Sequence, residues 1–439
     1  MKRFSSQRVL GSDGLKAMMA ASDAALLDEV IDLSLGDPDL DTDPRVIAGA
    51  FGDAKRGFTH YAPALGDPEL LEAIRSVWRD DYGIVIENGQ AMVTASGCHA
   101  MWLLLSAIID PDDEVVVFSP FFPPYPDQIK AVGGKPIIVE TDPDQGFIPH
   151  VDSLEPAIGP KTKAVIVNTP CNPTGACLTR THMEPLLAVC ARHDLLLIAD
   201  DIYTIFSYAG PFIPIGTLPG MAQRTVTVRS FSKDYCMTGW RIGYVIAPPQ
   251  IIEALQLVGE SNVYSAPSIS QRAGIAAFRL RREVQPAIVE EFRRRTEAAC
   301  AAIGAQCFSE SWSEDALRRA AEDGSIFLVA RLRGRTVGYF LALQTLDEGQ
   351  IVAVAVAEEH RRKGVGGRLL RAAVCEGARR GVAVFYLEVR SGNHAAVSLY
   401  EQAGFLRDGI RRGFYSRPRE DAVLMSLKLR EISNEDTGN

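Results

Sequence analysis

The residues with the clearest chemical potential surround Lys233. It lies in Ser230-Phe231-Ser232-Lys233, and Thr238-Gly239-Trp240-Arg241-Ile242-Gly243-Tyr244 follows. Two hydroxyls, an arginine eight residues on and a glycine-rich loop could hold a phosphate dianion beside an amine. An amine that condenses with an aldehyde must be partly deprotonated, and neighbouring cations lower its pKa. A lone lysine after a strand is ordinarily a solvated charge; this setting argues for chemistry.

Upstream, Ile198-Ala199-Asp200-Asp201-Ile202-Tyr203 ends an apolar run. A carboxylate there could keep a pyridine nitrogen protonated, or could simply cap a helix. Asn168-Thr169-Pro170-Cys171-Asn172-Pro173-Thr174-Gly175 reads as a turn that could also present Asn172. Ser96-Gly97-Cys98-His99 precedes a helical run whose first amides would favour a phosphate. Phe122, in Pro120-Phe121-Phe122-Pro123, could cover a planar ring or sit in a core.

A second constellation lies near the other end. Arg361-Arg362-Lys363-Gly364-Val365-Gly366 joins a strand-like run to a helix-like one, and glycine amides at a helix start with basic neighbours suit a pyrophosphate. Downstream come Leu387-Glu388-Val389-Arg390, Asn393 and Tyr400-Glu401-Gln402-Ala403-Gly404-Phe405. Taken alone, Glu388 reads as a surface carboxylate on an edge strand and Tyr400 as a core aromatic.

The elements that must position these groups come in two styles. Between about residues 90 and 250, helix-like stretches alternate with apolar strands at 114–118, 136–139, 164–168, 195–199, 225–229 and 244–246. That alternation predicts an α/β fold, a mostly parallel sheet between two helical layers, with ligands at the carboxyl ends of the strands. Residues 279–300 read as a charged helix. After 320 a hairpin is expected from 326–331, a turn at Gly334 and 336–344, then strands at 351–356, 384–389 and 422–429, with helices at 367–380 and 394–402.

Residues from about 30 to 280 resemble class I/II aminotransferases of the fold-type I pyridoxal-phosphate family. The likeness rests on Leu35-Gly36-Asp37-Pro38-Asp39, Tyr61-Ala62-Pro63-Ala64-Leu65-Gly66, the Asn-Pro-Thr-Gly turn, Asp-Asp-Ile-Tyr and Ser-Phe-Ser-Lys with Gly-Trp-Arg-Ile-Gly-Tyr. The resemblance implies that Lys233 binds pyridoxal 5'-phosphate covalently and moves the substrate α-proton. Asp200 would pair with the pyridine nitrogen, Asn172 and Tyr203 with the ring hydroxyl, and Phe122 would stack on the ring. Ser230, Ser232, Arg241 and the amides of Gly97 and Cys98 would hold the phosphate. Gly36 would meet the substrate, and Tyr61 would reach a neighbouring subunit's phosphate, which implies a homodimer. The likeness fades after Ser268-Ile269-Ser270-Gln271-Arg272-Ala273-Gly274, before the small domain from which the family draws the arginine that grips the substrate carboxylate.

Residues from about 290 to 430 resemble the GNAT superfamily, most closely bacterial ribosomal-protein-alanine N-acetyltransferases. Phe308-Ser309-Glu310-Ser311-Trp312-Ser313, Gly413-Phe414-Tyr415 and Arg419-Glu420-Asp421-Ala422 add to the motifs above. This likeness implies acetyl-CoA, its pyrophosphate on the loop of Arg361, Gly364 and Gly366 and its pantetheine along Val354 to Val356. Glu388 would be the base, Tyr400 the acid and Asn393 a weaker contact. Residues 290–296 could supply the first strand of such a domain, yet they also fit the helix expected at 279–300.

The expected organisation is therefore 1–288 for a three-layer pyridoxal-phosphate-binding domain without its small domain, 289–430 for a mixed α/β GNAT domain, and 431–439 for an acidic tail. A net charge of −9 is unevenly spread: residues 1–289 are acidic, 290–430 basic. The eight cysteines show no C-x-x-C spacing, and no leader-like or membrane-length apolar run stands out, so a cytoplasmic enzyme is expected, with neither nucleic acid nor membrane as partner. The expected function combines amino-group transfer between an amino acid and a 2-oxo acid with N-acetylation of an amine or a protein N-terminus. The rival is an acetyltransferase whose front domain is a non-transaminating scaffold.

Overall fold

The computed structural model describes residues 36–208, 210–309, 311–332 and 335–429. Leu35, Glu310, the Gly334 turn and the acidic tail lie outside them. The chain divides into two compact units, Met1–Val289 and Glu290–Asn439.

The first unit is built on a seven-stranded sheet. Its strands are β1 (Ala91–Thr94), β2 (Glu114–Ser119), β3 (Lys135–Glu140), β4 (Thr162–Asn168), β5 (Leu196–Asp200), β6 (Thr225–Ser230) and β7 (Gly243–Ile246), in the order β1-β7-β6-β5-β4-β2-β3. Only β7 runs antiparallel to its neighbours. Strands such as Val115-Val116-Val117-Phe118 are apolar throughout because both faces are covered. Alternate side chains serve opposite layers: Val115, Val117 and Ile166 pack with Leu104 and Leu105, whereas Val116, Val165 and Val167 pack with Met183 and Leu186. This is the three-layer, mostly parallel sheet expected of a pyridoxal-phosphate transferase. The unforeseen β1 has only four residues, too few for a strand period to show.

The second unit has a six-stranded mixed sheet: β8 (Ile326–Leu332), β9 (Arg335–Thr345), β10 (Glu348–Val356), β11 (Val384–Arg390), β12 (Leu406–Ser416) and β13 (Arg419–Lys428), ordered β12-β13-β11-β10-β9-β8. Its single parallel pair is β10 with β11. The helices Val365–Arg379 and His394–Gln402 contribute Leu369, Leu370, Ala373, Val397 and Tyr400 to a core with Phe385, Leu387 and Val389.

One open alternative is settled and one strand was not expected. Residues 290–296 form no strand; they lie within the helix Arg281–Cys307. Glu291 pairs there with Arg294 and Arg295, the three- and four-residue spacing that a helix brings together. The strand Leu406–Ser416 escaped notice because its residues are nearly all exposed and include Arg407, Arg411 and Arg412, as suits an edge strand. Among the described residues no helix is long and apolar enough to cross a membrane.

Candidate functional site

The carboxyl edge of the first sheet gathers most of the residues singled out above. Asp200 ends β5, with Asn168 of β4 beside it in register; Ser230 ends β6 and pairs with Gly243 at the start of β7. Ser230 then caps the short helix Phe231–Asp234, accepting from the Ser232 amide at 3.1 Å. That turn carries Lys233, whose Nζ donates to the Gly36 carbonyl. The amine is half-buried. Burial pushes its pKa down, the Arg241 cation adds to this, and Asp37 opposes it.

Asp200 is buried. Its Oδ2 accepts from the Tyr125 hydroxyl and its backbone carbonyl from Asn168 Nδ2 at 2.7 Å, whereas Oδ1 has no partner. Burial pushes the carboxyl up to about 6, although the Tyr125 bond opposes this. A protonated pyridine nitrogen would satisfy the orphaned oxygen and return a charge to a group that burial disfavours. Around it the Asn172 amide donates to the Tyr203 hydroxyl at 3.3 Å, and its own N–H is held by Asn168 Oδ1 at 2.7 Å. Burial and Asp200 raise the Tyr203 hydroxyl to about 12, so it stays protonated. Phe122 meets Tyr125 edge-on, ring centres 5.5 Å apart.

A phosphate would find donors at one end of this cluster. Gly97 and Cys98 open the helix Gly97–Ile108, capped by Ser96, so their amides have no partner within the helix. Ser230 Oγ donates to Ser232 Oγ at 2.9 Å. Arg241 bonds the Thr238 carbonyl at 2.7 Å from a left-handed backbone (φ 53°), and its charge reaches the Cys98 thiol. Gly243 is what lets these parts meet: a Cβ there would lie 2.7 Å from Arg229 O and 2.9 Å from Gly97 N. Tyr61 stands apart, 87% exposed and edge-on to Tyr264.

Tyr125, Asn168 and the buried Arg229, Asp234 and Thr204 did not emerge from sequence. Arg229 Nη2 lies 3.1 Å from Thr204 Oγ1 and 3.6 Å from Asp234 Oδ2, with its guanidinium near the Trp78, Tyr82 and Phe212 rings. The signal for Tyr125 was indirect: a buried carboxylate needs a donor, and a tyrosine follows Phe122 closely.

In the second unit, β10 and β11 pair only as far as Ile351 and Leu387, and β10 is irregular between Ile351 and Ala353. Past that point the edge of β10 that carries Val354 and Val356 has no strand partner on the β11 side, a gap with backbone groups available to an extended ligand. Gly364 caps the helix Val365–Arg379 from a left-handed conformation (φ 80°), with Gly366 in its first turn. Arg361 turns back, donating to Val356 O at 3.0 Å. Asn393 caps the helix His394–Gln402 through its side chain, bonding Ala396 N at 3.2 Å. Glu388 Oε2 accepts from Gln350 at 2.6 Å, and Arg411 lies 3.4 Å from Oε1. Tyr400 is buried and its hydroxyl is raised by that burial and by Tyr415, which itself donates to the Glu388 carbonyl at 3.1 Å.

Comparison with known proteins agrees with both units. The family of aminotransferases class I and II matches residues 28–359, and the acetyltransferase (GNAT) domain matches 323–407. The two overlap over the span of β8, β9 and β10, all strands of the second sheet. The chain is 37% identical over 273 residues to the aspartate/prephenate aminotransferase of Thermus thermophilus, covering 61% of this chain and 70% of that one. It is 31% identical over 306 residues to the arginine–pyruvate transaminase of Pseudomonas aeruginosa, covering 70% and 76%. The solved aspartate aminotransferase from Thermus thermophilus with maleate superposes with a TM-score of 0.64 at 31% identity, over 77% of this chain and 85% of that one. With its mostly parallel sheet and the residues gathered at the carboxyl edge, the chain belongs to the class I and II aminotransferase family and carries a GNAT domain behind it.

Proposed function

We propose that the chain is a two-site transferase: pyridoxal-phosphate-dependent amino transfer between an α-amino acid and a 2-oxo acid at the first sheet, and acetyl transfer from acetyl-CoA to an amine at the second. The observation that carries the first half is the buried, half-satisfied carboxyl of Asp200 on the strand next to the one that leads to the depressed amine of Lys233.

Pyridoxal phosphate bound there supplies the electron sink for breaking a bond at the substrate α-carbon. Lys233 would hold the cofactor through its amine, and its Nζ would move the substrate α-proton. Asp200 holds a proton on the pyridine nitrogen. Asn172 and Tyr203 orient the ring hydroxyl, and Phe122 covers one ring face. Ser230, Ser232, Arg241 and the amides of Gly97 and Cys98 bind the phosphate. Gly36 lines the substrate side, and exposed Tyr61 would complete the phosphate site of a second subunit in a homodimer.

At the second site the amides of Gly364 and Gly366 take the pyrophosphate, Arg361 and Asn393 brace the surrounding loops, and Val354 and Val356 border the gap for the pantetheine arm. The amine lone pair forms an N–C bond to the acetyl carbon and the C–S bond breaks onto sulfur. The amine proton passes to Glu388, and sulfur takes a proton from Tyr400. The eight unpaired cysteines suit a reducing, cytoplasmic setting.

One observation favours a second reading, in which the first unit is a scaffold. The chain after the helix Arg281–Cys307 builds a six-stranded mixed sheet that a GNAT family model matches in part, in the span from which the family's carboxylate-gripping arginine would be drawn. The test is the visible spectrum of protein loaded with pyridoxal phosphate. Amino transfer predicts a lysine-bound band that K233A lacks and that α-amino acids bleach. A band that no amino acid alters establishes the scaffold, and a band that survives in K233A overturns the assignment of Lys233.

A further inference from the structure

The second site carries information about its acceptor in the pair Glu388 and Arg411. Glu388 is held on one oxygen by Gln350, at 2.6 Å, which leaves Oε1 towards Arg411. Arg411 reaches that oxygen with a single long contact of 3.4 Å, and its guanidinium lies 5.3 Å from the Phe414 ring centre. Its side chain is 57% exposed. A guanidinium has five N–H donors in a planar fork, so Arg411 remains largely uncommitted among the described residues.

Arg390, two residues beyond Glu388, shows what a committed arginine looks like here. It bonds Pro418 O, Glu420 Oε2, Ser309 Oγ and Arg417 O, at 2.9 to 3.2 Å, and stacks 4.2 Å from the Tyr415 ring centre. Its donors are used in closing the turn between β12 and β13. Arg411 closes nothing. Strand β12 shifts register on either side of it, between Arg407 and Gly409 and between Arg411 and Tyr415; across β13, Arg411 is in register with Ala422 and Arg390, and its guanidinium reaches diagonally to Glu388 on β11.

An exposed fork for a carboxylate therefore stands next to a carboxylate assigned to take the acceptor's proton. We propose that Arg411 makes this site selective for a free α-amino acid: its carboxylate on the Arg411 fork, its amine at Glu388 Oε1. Such a molecule carries both groups on one carbon, which matches the immediate adjacency of the two side chains. A protein N-terminus has an amide where the carboxylate would be, and offers Arg411 no anion. The inference rests on the reading of the second unit as an acetyltransferase. It also gives the two sites a common currency, because amino transfer produces the same class of molecule.

The test follows thiol release from acetyl-CoA by the full-length protein, with α-amino acids, the corresponding amino acid amides, and peptides with a free N-terminus. The acids are expected to exceed their amides in kcat/KM by at least about tenfold, as for loss of a charge-assisted bidentate contact. R411Q should raise KM for the acids by a similar factor and shrink the acid-to-amide ratio towards one. R411K, which keeps the charge without the fork, should recover part of that ratio. Equal turnover of acids and amides, a preference for peptides, or R411Q lowering kcat for both without altering the ratio would each overturn the selectivity. Acetyl-CoA that neither binds, by calorimetry, nor reacts with any amine would remove the acetyltransferase reading, and this inference with it.

Discussion

The Thr204 hydroxyl donates to Asp234 Oδ2 at 2.6 Å, tying the segment that leaves Asp200 to the turn that carries Lys233. Both partners are buried, and Arg229 approaches each of them. Lys233 and Asp200 are thus held in place from behind by side chains that would touch no ligand.

Replacing Thr204 with valine keeps the volume and removes the donor, leaving a buried carboxylate short of a bond. The expected cost is about 1–3 kcal/mol of unfolding free energy, read from denaturant midpoints, with T204S close to the parent protein. An unchanged midpoint in T204V would show that this tie contributes nothing to stability.

Asp201 sets a pH dependence. It is fully buried with neither oxygen bonded, and burial raises it from 3.8 to about 8. Asp200 and Asp234 are raised in the same sense, each to about 6. At these three carboxyls the folded chain holds more protons than the unfolded one above 3.8, so their contribution to stability falls as pH rises, for Asp201 up to about 8. D201N, which cannot ionise, should unfold at a higher temperature than the parent near about pH 8 and differ little near about pH 4. The reverse order would mean that Asp201 is charged in the folded state.

The two glycines that bring β7 against the phosphate loop should differ in tolerance. A Cβ on Gly243 would strike backbone atoms, Arg229 O at 2.7 Å and Gly97 N at 2.9 Å, whereas one on Gly97 would chiefly meet the Ile202 side-chain tip at 2.8 Å. G243A should cost about 1–3 kcal/mol and weaken binding of pyridoxal phosphate. G97A should be milder because a side-chain end can swing aside. Comparable losses in both would contradict the backbone contact as the cause.

D200N keeps a polar group beside Tyr125 but cannot balance a protonated pyridine nitrogen. Amino transfer should fall by about a hundredfold, the order of a lost charge-assisted hydrogen bond, while phosphate-end binding persists. A single-turnover assay with cofactor retention measured in parallel separates the two effects. A D200N rate equal to the parent's would remove Asp200 from the chemistry.

Local sequence decided a good deal. The alternation of apolar strands with helices fixed the three-layer sheet, and the residues at the strand ends were legible because each sits in a short motif: Asp200 and Tyr203 after one strand, Ser230, Ser232 and Lys233 after another. The likeness to GNAT domains was legible for the same reason, in the glycine loop before Val365–Arg379 and in the strand that carries Glu388. Tertiary structure decided the partners. Tyr125 reaches Asp200 from 75 residues away and Gly36 reaches Lys233 from 197, and no local pattern encodes such a meeting. It also decided that 290–296 is helix and that 406–416 is an edge strand, because charged, solvent-facing residues carry no burial period to read. Arg411 is part of that strand. Its place beside Glu388 depends on where the sheet puts an edge, which is settled only when the strands pair.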